Sequence, residues 1–154
     1  TVPGGGRFNI GTLPEINRAT VGDGNRITGV IVGFSPLPTD LEKKHNPAST
    51  ERVAYVCDDP FVEFEIQADG AIPAASIGLN AVLIATHSGS TTTGLSGMEL
   101  DTTSDVPAAD ASNQLLILRA VNREDNDTTL THAKVIVLIN QHTENQGTVG
   151  TLGI

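Results

Sequence analysis

Short runs of β-branched and aliphatic residues, each ended by glycine, proline or aspartate, constrain the fold of this 154-residue chain more than any other feature. Only residues 73–77 favour a helical turn. Strand-length runs at short spacing, with turn residues between them, are typical of an antiparallel sandwich or small barrel. We therefore predict a compact all-β fold, an antiparallel barrel or sandwich of about seven strands. The predicted strands are residues 27–34, 52–57, 61–68, 81–86, 91–100, 114–121 and 133–139.

The interior is expected to be aliphatic, because aromatic residues make up only 3% of the chain and tryptophan is absent. The most apolar strands, 114–121 and 133–139, are predicted to form its centre. In the run at 61–68, Phe64 and Ile66 alternate with Glu63 and Glu65. This alternation predicts a strand with one buried face and one wet face.

Three regions are predicted along the chain: an extended N-terminal arm at 1–24, a β domain at 25–143 and a flexible C-terminal tail at 144–154. The arm is rich in glycine and proline and has few apolar residues with which to bury itself. One interpretation is a frayed terminus. The other is an arm that becomes ordered on a neighbouring subunit. In that case its apolar residues are the partner-binding anchors: Phe8, Ile10, Leu13 and Ile16.

The formal net charge of −9 argues against a nucleic-acid partner, since such binding depends on lysine and arginine and only nine are present. An acidic surface instead favours partners with basic patches. We predict no membrane span, because the longest apolar runs have strand length rather than the roughly 20 residues of a spanning helix. Cys57 is the single cysteine, which excludes an intrachain disulfide, and we expect its thiol to be buried.

Two nucleotide- or ester-directed motifs are incomplete. Residues 89–94 have the glycine spacing of a phosphate-binding loop, but Leu95 and Ser96 follow where lysine and then serine or threonine are needed. Residues 94–97 begin like a nucleophile elbow, and Met98 stands where its last glycine belongs. Both segments are interpreted as turns or strand.

Three other groups of polar residues are candidates for a catalytic or metal-binding site. Glu63 and Glu65 lie two apart on one strand face, a spacing that a carboxylate pair could use, although a solvated face is the preferred interpretation. Acidic residues of the turn at 124–127 could collect calcium, but Leu130 stands where the EF-hand pattern needs glycine. The histidines are far apart in sequence: His45, His87, His132 and His142. We therefore expect no catalytic residue, no cofactor and no metal site within one chain.

Several blocks in succession resemble the head cement proteins of tailed phages, also called decoration or stabilisation proteins. They cover roughly residues 25–142, most of the chain, and include the DDPFVEFEIQ run at 58–67. The other blocks are residues 29–34, 77–80, 89–101 and 115–119.

The resemblance implies a structural, non-enzymatic protein on the capsid exterior, assembled in the host cytoplasm. Its implied partners are the major capsid (coat) protein and other copies of itself, in a homotrimer or a dimer, and its implied role is to stabilise the expanded head. Three alternatives stay open: a carbohydrate- or receptor-binding β module on a virion, an enzyme that uses Glu63 and Glu65, and a tail or neck component.

Overall fold

The computed structural model describes residues 14–144 and residue 153. Within them lie eight strands and one turn of 3-10 helix (Ala74–Ser76). The strands are β1 (Val30–Phe34), β2 (Ala54–Cys57), β3 (Phe64–Gln67), β4 (Asn80–Ala81), β5 (Leu83–Ile84), β6 (Glu99–Leu100), β7 (Leu115–Ala120) and β8 (Lys134–Ile139). The all-β prediction is confirmed, and so is the helical turn near residue 75.

All strand pairs are antiparallel, and they form three sheets. The main sheet has the order β3-β8-β7-β4, while β1 pairs with β2 and β5 pairs with β6. The described strands do not close into a barrel, so the barrel alternative is wrong. The reason is local: β4, β5 and β6 have two residues each, which is too short to carry hydrogen bonds around a closed ring.

The predicted strand at 81–86 is in fact divided between two sheets. Ala81 pairs with Leu115 in the main sheet, whereas Leu83 pairs with Leu100 in the small one. The chain therefore changes sheets at Val82, which is itself buried. Such a change lets one short apolar segment contribute to both sheets.

The predicted strand at 91–100 is present only at its end, as β6. The preceding residues form a turn, in which the Ser90 amide donates to the carbonyl of Leu95 and the Gly94 amide donates to that of Ser90. Gly94 has a positive φ of 76°, and a Cβ there would come 2.8 Å from Cβ of Lys44. Glycine thus permits a turn that strand propensity alone did not reveal.

The core lies on the inner face of the main sheet, where β5, β6 and loop residues cover it, and it is aliphatic as predicted. β7 and β8 form the centre, and their fully buried residues include Ile117, Val135 and Val137. Phe64 and Ile66 of β3 pack against this cluster, while Glu65 is exposed. The wet and dry faces of β3 are therefore confirmed.

Buried amide side chains fasten the loop at 101–113 to one end of the core. Asn140 donates to the carbonyls of Ala111 and Asn113, and Gln141 also donates to that of Ala111. The side chain of Asn113 donates in turn to the carbonyl of Asn80. These bonds hold the loop in a defined conformation.

Gln114 attaches the segment that precedes the β domain. Its Oε1 accepts from the amides of Gly22 and Leu83, and its Nε2 donates to the carbonyls of Thr20 and Asn25. Ala19 and Val21 also pack against the core. At the other end of the chain, Gly153 is buried, and a Cβ there would come 2.8 Å from Cα of Leu79.

Candidate interaction surface

Three of the four predicted anchors, Phe8, Ile10 and Leu13, lie outside the described residues. The fourth, Ile16, is described, and 39% of it is exposed. Its apolar surface is therefore accessible to a partner. The core is joined only from Ala19 onward within the described part of this region.

Four of the exposed large hydrophobic residues in the described part of the chain lie on the hairpin of β1 and β2. Val30, Ile31 and Val32 are all exposed, Val32 to 69%, and Tyr55 of β2 is exposed as well. We call these four residues the hairpin surface. The sequence alone does not distinguish this surface, because the same apolar run suits a buried strand equally well.

Glycine explains the shape of this hairpin. A Cβ at Gly29 would overlap the carbonyl oxygen of Cys57, so only glycine lets β1 approach the end of β2 so closely. The register then shifts between Ile31 and Gly33, which makes Val32 the extra residue of a β-bulge. A bulge bends its strand and re-aims side chains, and here it accompanies the most exposed valine of the sheet.

The hairpin is physically unusual for a surface element. A two-stranded sheet is only marginally stable alone. An exposed edge strand ordinarily carries proline, lysine or another charged residue that prevents association with other strands. The sequence of β1 is VIVGF and contains none of these. Neither β1 nor β2 belongs to the main sheet. A partner that covers the hairpin surface would therefore bury its apolar side chains and stabilise the hairpin.

Arg52 ties the hairpin to the polar loop at 36–50. Its guanidinium donates to the carbonyls of Ser35, Lys43 and His45, and it lies 5.3 Å from the centre of the Phe34 ring. Three carbonyls and one aromatic face on a single cation give this irregular loop a fixed anchor. These contacts also fix the position of the hairpin relative to the loop.

A further exposed aromatic residue follows β2. Phe61 is 85% exposed, and its amide donates to Oδ1 of Asp59 at 2.8 Å. The aspartate shapes the turn that holds the ring away from the core. Cys57, at the end of β2, is half-buried rather than buried as predicted, because it belongs to the exposed hairpin and not to the core.

The carboxylates of Glu63, just before β3, and of Glu65, within β3, are each held by an arginine. Glu63 Oε2 lies 2.7 Å from Arg119, and Glu65 Oε2 lies 2.5 Å from Arg123. The hydrogen bond from Arg119 lowers the pKa of Glu63 below its ordinary value. The solvated-face interpretation accounts for both residues, since each carboxylate is engaged by a cation across the sheet.

The acidic turn at 122–127 is organised by hydrogen bonds within the chain. Asp127 accepts from the amide and hydroxyl of Thr129, and this lowers the pKa of Asp127. The Asn126 side chain donates to the Lys134 carbonyl and accepts from the Lys134 amide. These two bonds fasten the turn to the start of β8. Across residues 14–144 and 153, no three histidine, cysteine, aspartate or glutamate side chains are placed to hold a metal ion.

Another group of carboxylates lies where the loop at 101–113 meets the N-terminal segment. Burial raises the pKa of Asp105, and the charges of Asp23, Asp101 and Asp110 raise it further. These four carboxylates are therefore close enough to interact electrostatically.

Two histidines that are 45 residues apart in sequence meet at one buried carboxylate. His87 Nδ1 lies 2.9 Å from Glu99 Oε2, and His132 Nδ1 lies 3.6 Å from Glu99 Oε1. Sequence reasoning treated these histidines as isolated. No local signal could have joined them, because the contact requires β3 and β6 to lie side by side.

The described part of the chain has no helix with the length and hydrophobicity that a bilayer crossing requires. Comparisons of the chain with models of known protein families, with curated proteins and with solved structures found no match.

Proposed function

We propose that this chain is a cement protein, a structural component that binds the outside of the major coat lattice of a tailed phage and stabilises the expanded head. The observation that carries the proposal is the hairpin surface. Val30, Ile31 and Val32 form an uncharged, exposed edge strand that lies outside the main sheet. The succession of sequence blocks described above supports the same role.

A weak contact with the coat protein is sufficient for a cement protein if it is repeated many times over the lattice. Burying apolar surface contributes on the order of 25 cal/mol per Å², so one small hairpin surface supports only weak binding by itself. A coat lattice offers the same site many times, and linked copies bind such an array far more tightly than single ones. Self-association into a homotrimer, or alternatively a dimer, belongs to the proposal because it supplies that linkage.

The charge of the chain indicates the chemistry of the partner. With nine basic residues against eighteen acidic ones, the molecule is complementary to a surface rich in lysine and arginine. We propose that the coat protein presents such residues around an apolar contact for the hairpin. The arm anchors Phe8, Ile10, Leu13 and Ile16 then extend the contact to a neighbouring coat subunit.

Substitution of Val32 tests the proposal. Val32→Lys places a charge on the most exposed residue of the hairpin surface without disturbing the core, so we expect it to fold normally. We expect binding to expanded heads that lack this protein to weaken at least about tenfold, because a charge would be buried in an apolar contact. Cosedimentation of purified protein with expanded heads and with compact precursor heads measures this directly.

Leu130→Lys is the matched control. Leu130 is also an exposed aliphatic residue, but it lies in the turn before β8 rather than on the hairpin. Its variant should bind expanded heads as the unmodified protein does. Equal binding by all three proteins would exclude the hairpin surface, and no saturable binding of the unmodified protein would exclude the cement role itself.

A second candidate function, carbohydrate or receptor binding on a virion surface, is favoured by one observation. Phe61 is the most exposed aromatic residue described, and aromatic faces are common platforms for apolar ligand surfaces. A glycan array distinguishes the two functions. A specific signal that Phe61→Ala abolishes supports the carbohydrate-binding role.

A further inference from the structure

The contact between Glu99, His87 and His132 has a feature that the proposed function does not use. The Glu99 side chain is only 9% exposed, and its Oε1 accepts a hydrogen bond from Gln67 Nε2 at 2.6 Å. Its other oxygen, Oε2, is buried and forms no hydrogen bond, although Nδ1 of His87 lies only 2.9 Å away. A buried carboxylate oxygen without a donor is costly.

Both histidines are open to solvent on their outer sides. The His87 side chain is 63% exposed and that of His132 is 58% exposed, so water reaches each ring. Protonation turns each imidazole into a donor on both nitrogens and adds a positive charge next to Glu99. A protonated ring carries an N–H at Nδ1, and this atom lies 2.9 Å from Oε2 in His87 and 3.6 Å from Oε1 in His132.

The three residues belong to three different parts of the chain. Glu99 is the first residue of β6, His87 begins the loop that leads to it, and His132 lies two residues before β8. His132 has a positive φ of 64°, a left-handed conformation that costs energy in a residue other than glycine. The cluster thus brings the loop at 86–98 and the turn before β8 to the same buried carboxylate.

Two other charged residues are close to the cluster in the β3–β8 part of the sheet. Glu65, on the same face of β3 as Gln67, is paired with Arg123. Lys134 is opposite Gln67 in the β3–β8 pairing.

The remaining neighbours leave Glu99 as the carboxylate that faces both histidines. Oδ1 of Asp101 accepts from the amides of Thr103 and Ser104. Thr86, before His87, is uncharged, and its hydroxyl lies 3.3 Å from Nδ1 of His87.

We propose that Glu99, His87 and His132 form a pH-responsive latch, which tightens the loop at 86–98 and the turn before β8 onto the sheet when the imidazoles take up protons. The ion pairs exist only with protonated rings. Their contribution to stability is therefore present in mild acid and absent in alkaline solution, where imidazole rings are neutral.

Thermal unfolding of single purified proteins tests the latch separately from any binding to heads. The double variant His87→Asn/His132→Asn removes both cations while leaving the buried carboxylate in place. We expect its Tm to match that of the unmodified protein within about 1 °C at pH 8 and to be lower by about 3 °C at pH 6. His142 is common to both proteins, so its contribution cancels in the difference.

Two further variants sharpen the result. His45→Asn, at a histidine that contacts the Thr91 carbonyl and no carboxylate, should keep the pH profile of the unmodified protein. Glu99→Gln should remove the mild-acid gain, and hydrogen-exchange protection factors at 86–98 should then no longer rise between pH 8 and pH 6. If the double histidine variant follows the unmodified protein at both pH values, the latch does not exist, whether or not Glu99→Gln folds.

Discussion

At the scale of single residues, polar side chains define how loops meet the sheets. Asp69, in the turn after β3, accepts from the amide and hydroxyl of Thr102 and from the hydroxyl of Thr103. Gly70 follows, and a Cβ there would come 2.6 Å from Oγ1 of Thr102. The carboxylate thus holds the segment after β6 against the turn after β3, through bonds that need both of its oxygens.

Asp69→Asn is expected to destabilise the protein by about 1–2 kcal/mol at pH 7, because the amide nitrogen cannot accept the Thr103 hydroxyl proton. Burial raises the pKa of Asp69, but the hydrogen bonds from Thr103 and Thr102 outweigh this and leave it below the ordinary value. A carboxyl group with a lowered folded pKa stabilises above its unfolded pKa of about 4, and that stability is lost as the pH falls. The difference between the two proteins should therefore shrink by pH 2.5.

Urea unfolding at pH 7 and pH 2.5 measures this. Asp58→Asn is the control, since it removes the same charge from an exposed position and so reports the general relief of a net charge of −9. A gap between Asp69→Asn and the unmodified protein that stayed equally large at pH 2.5 would contradict the role of the ionised carboxylate.

At the scale of elements, β7 and β8 show how one apolar strand serves two environments. The burial of β8 alternates along KVIVLI, with Val135, Val137 and Ile139 buried and the residues between them half-buried. β7 begins with the same alternation and then shifts register between Ile117 and Arg119. The shift places Arg119 on the outer face, where it pairs with Glu63.

The alternation predicts unequal effects for two neighbouring truncations in β7. Ile117→Ala, at a fully buried position, should destabilise the protein by about 3 kcal/mol because it removes packed methyl groups and leaves a cavity. Leu116→Ala, on the half-buried outer face, should cost about 1 kcal/mol. Equilibrium denaturation compares the two, and similar losses would mean that the outer face is as tightly packed as the core.

At the scale of the whole molecule, the border of the N-terminal arm can be drawn more finely from its contacts. Thr20, Gly22 and Asn25 are bonded to the buried side chain of Gln114, and Ala19 and Val21 pack against the core. Residues 19–24 thus contribute to the stability of the β domain. Any function of the arm in binding a neighbour has to be tested without disturbing them.

Two truncations separate these contributions. Deleting residues 1–18 should leave the free energy of unfolding unchanged within about 0.5 kcal/mol, since no Gln114 bond is lost, and should weaken binding to expanded heads. Deleting residues 1–24 should in addition lower stability by about 2–4 kcal/mol, because Gln114 loses two partners and the core loses Val21.

Denaturation and cosedimentation of both truncated proteins measure stability and binding separately. Unchanged binding after the shorter deletion would remove the arm, including Ile16, from the proposed mechanism. Unchanged stability after the longer deletion would mean that the contacts of residues 19–24 contribute little to the folded domain.

The local pattern of the sequence by itself determined where most of the strands lie, that the core is aliphatic, and which face of β3 is wet. These properties follow from the residue types and their alternation at every second position, so they can be inferred without the tertiary structure. Tertiary structure alone decided three other features: the sheet change at Val82, the exposure of the hairpin surface, and the meeting of His87 and His132 at Glu99. Each depends on which strands become neighbours, and the same apolar run suits a buried strand or an exposed edge until its partners are known.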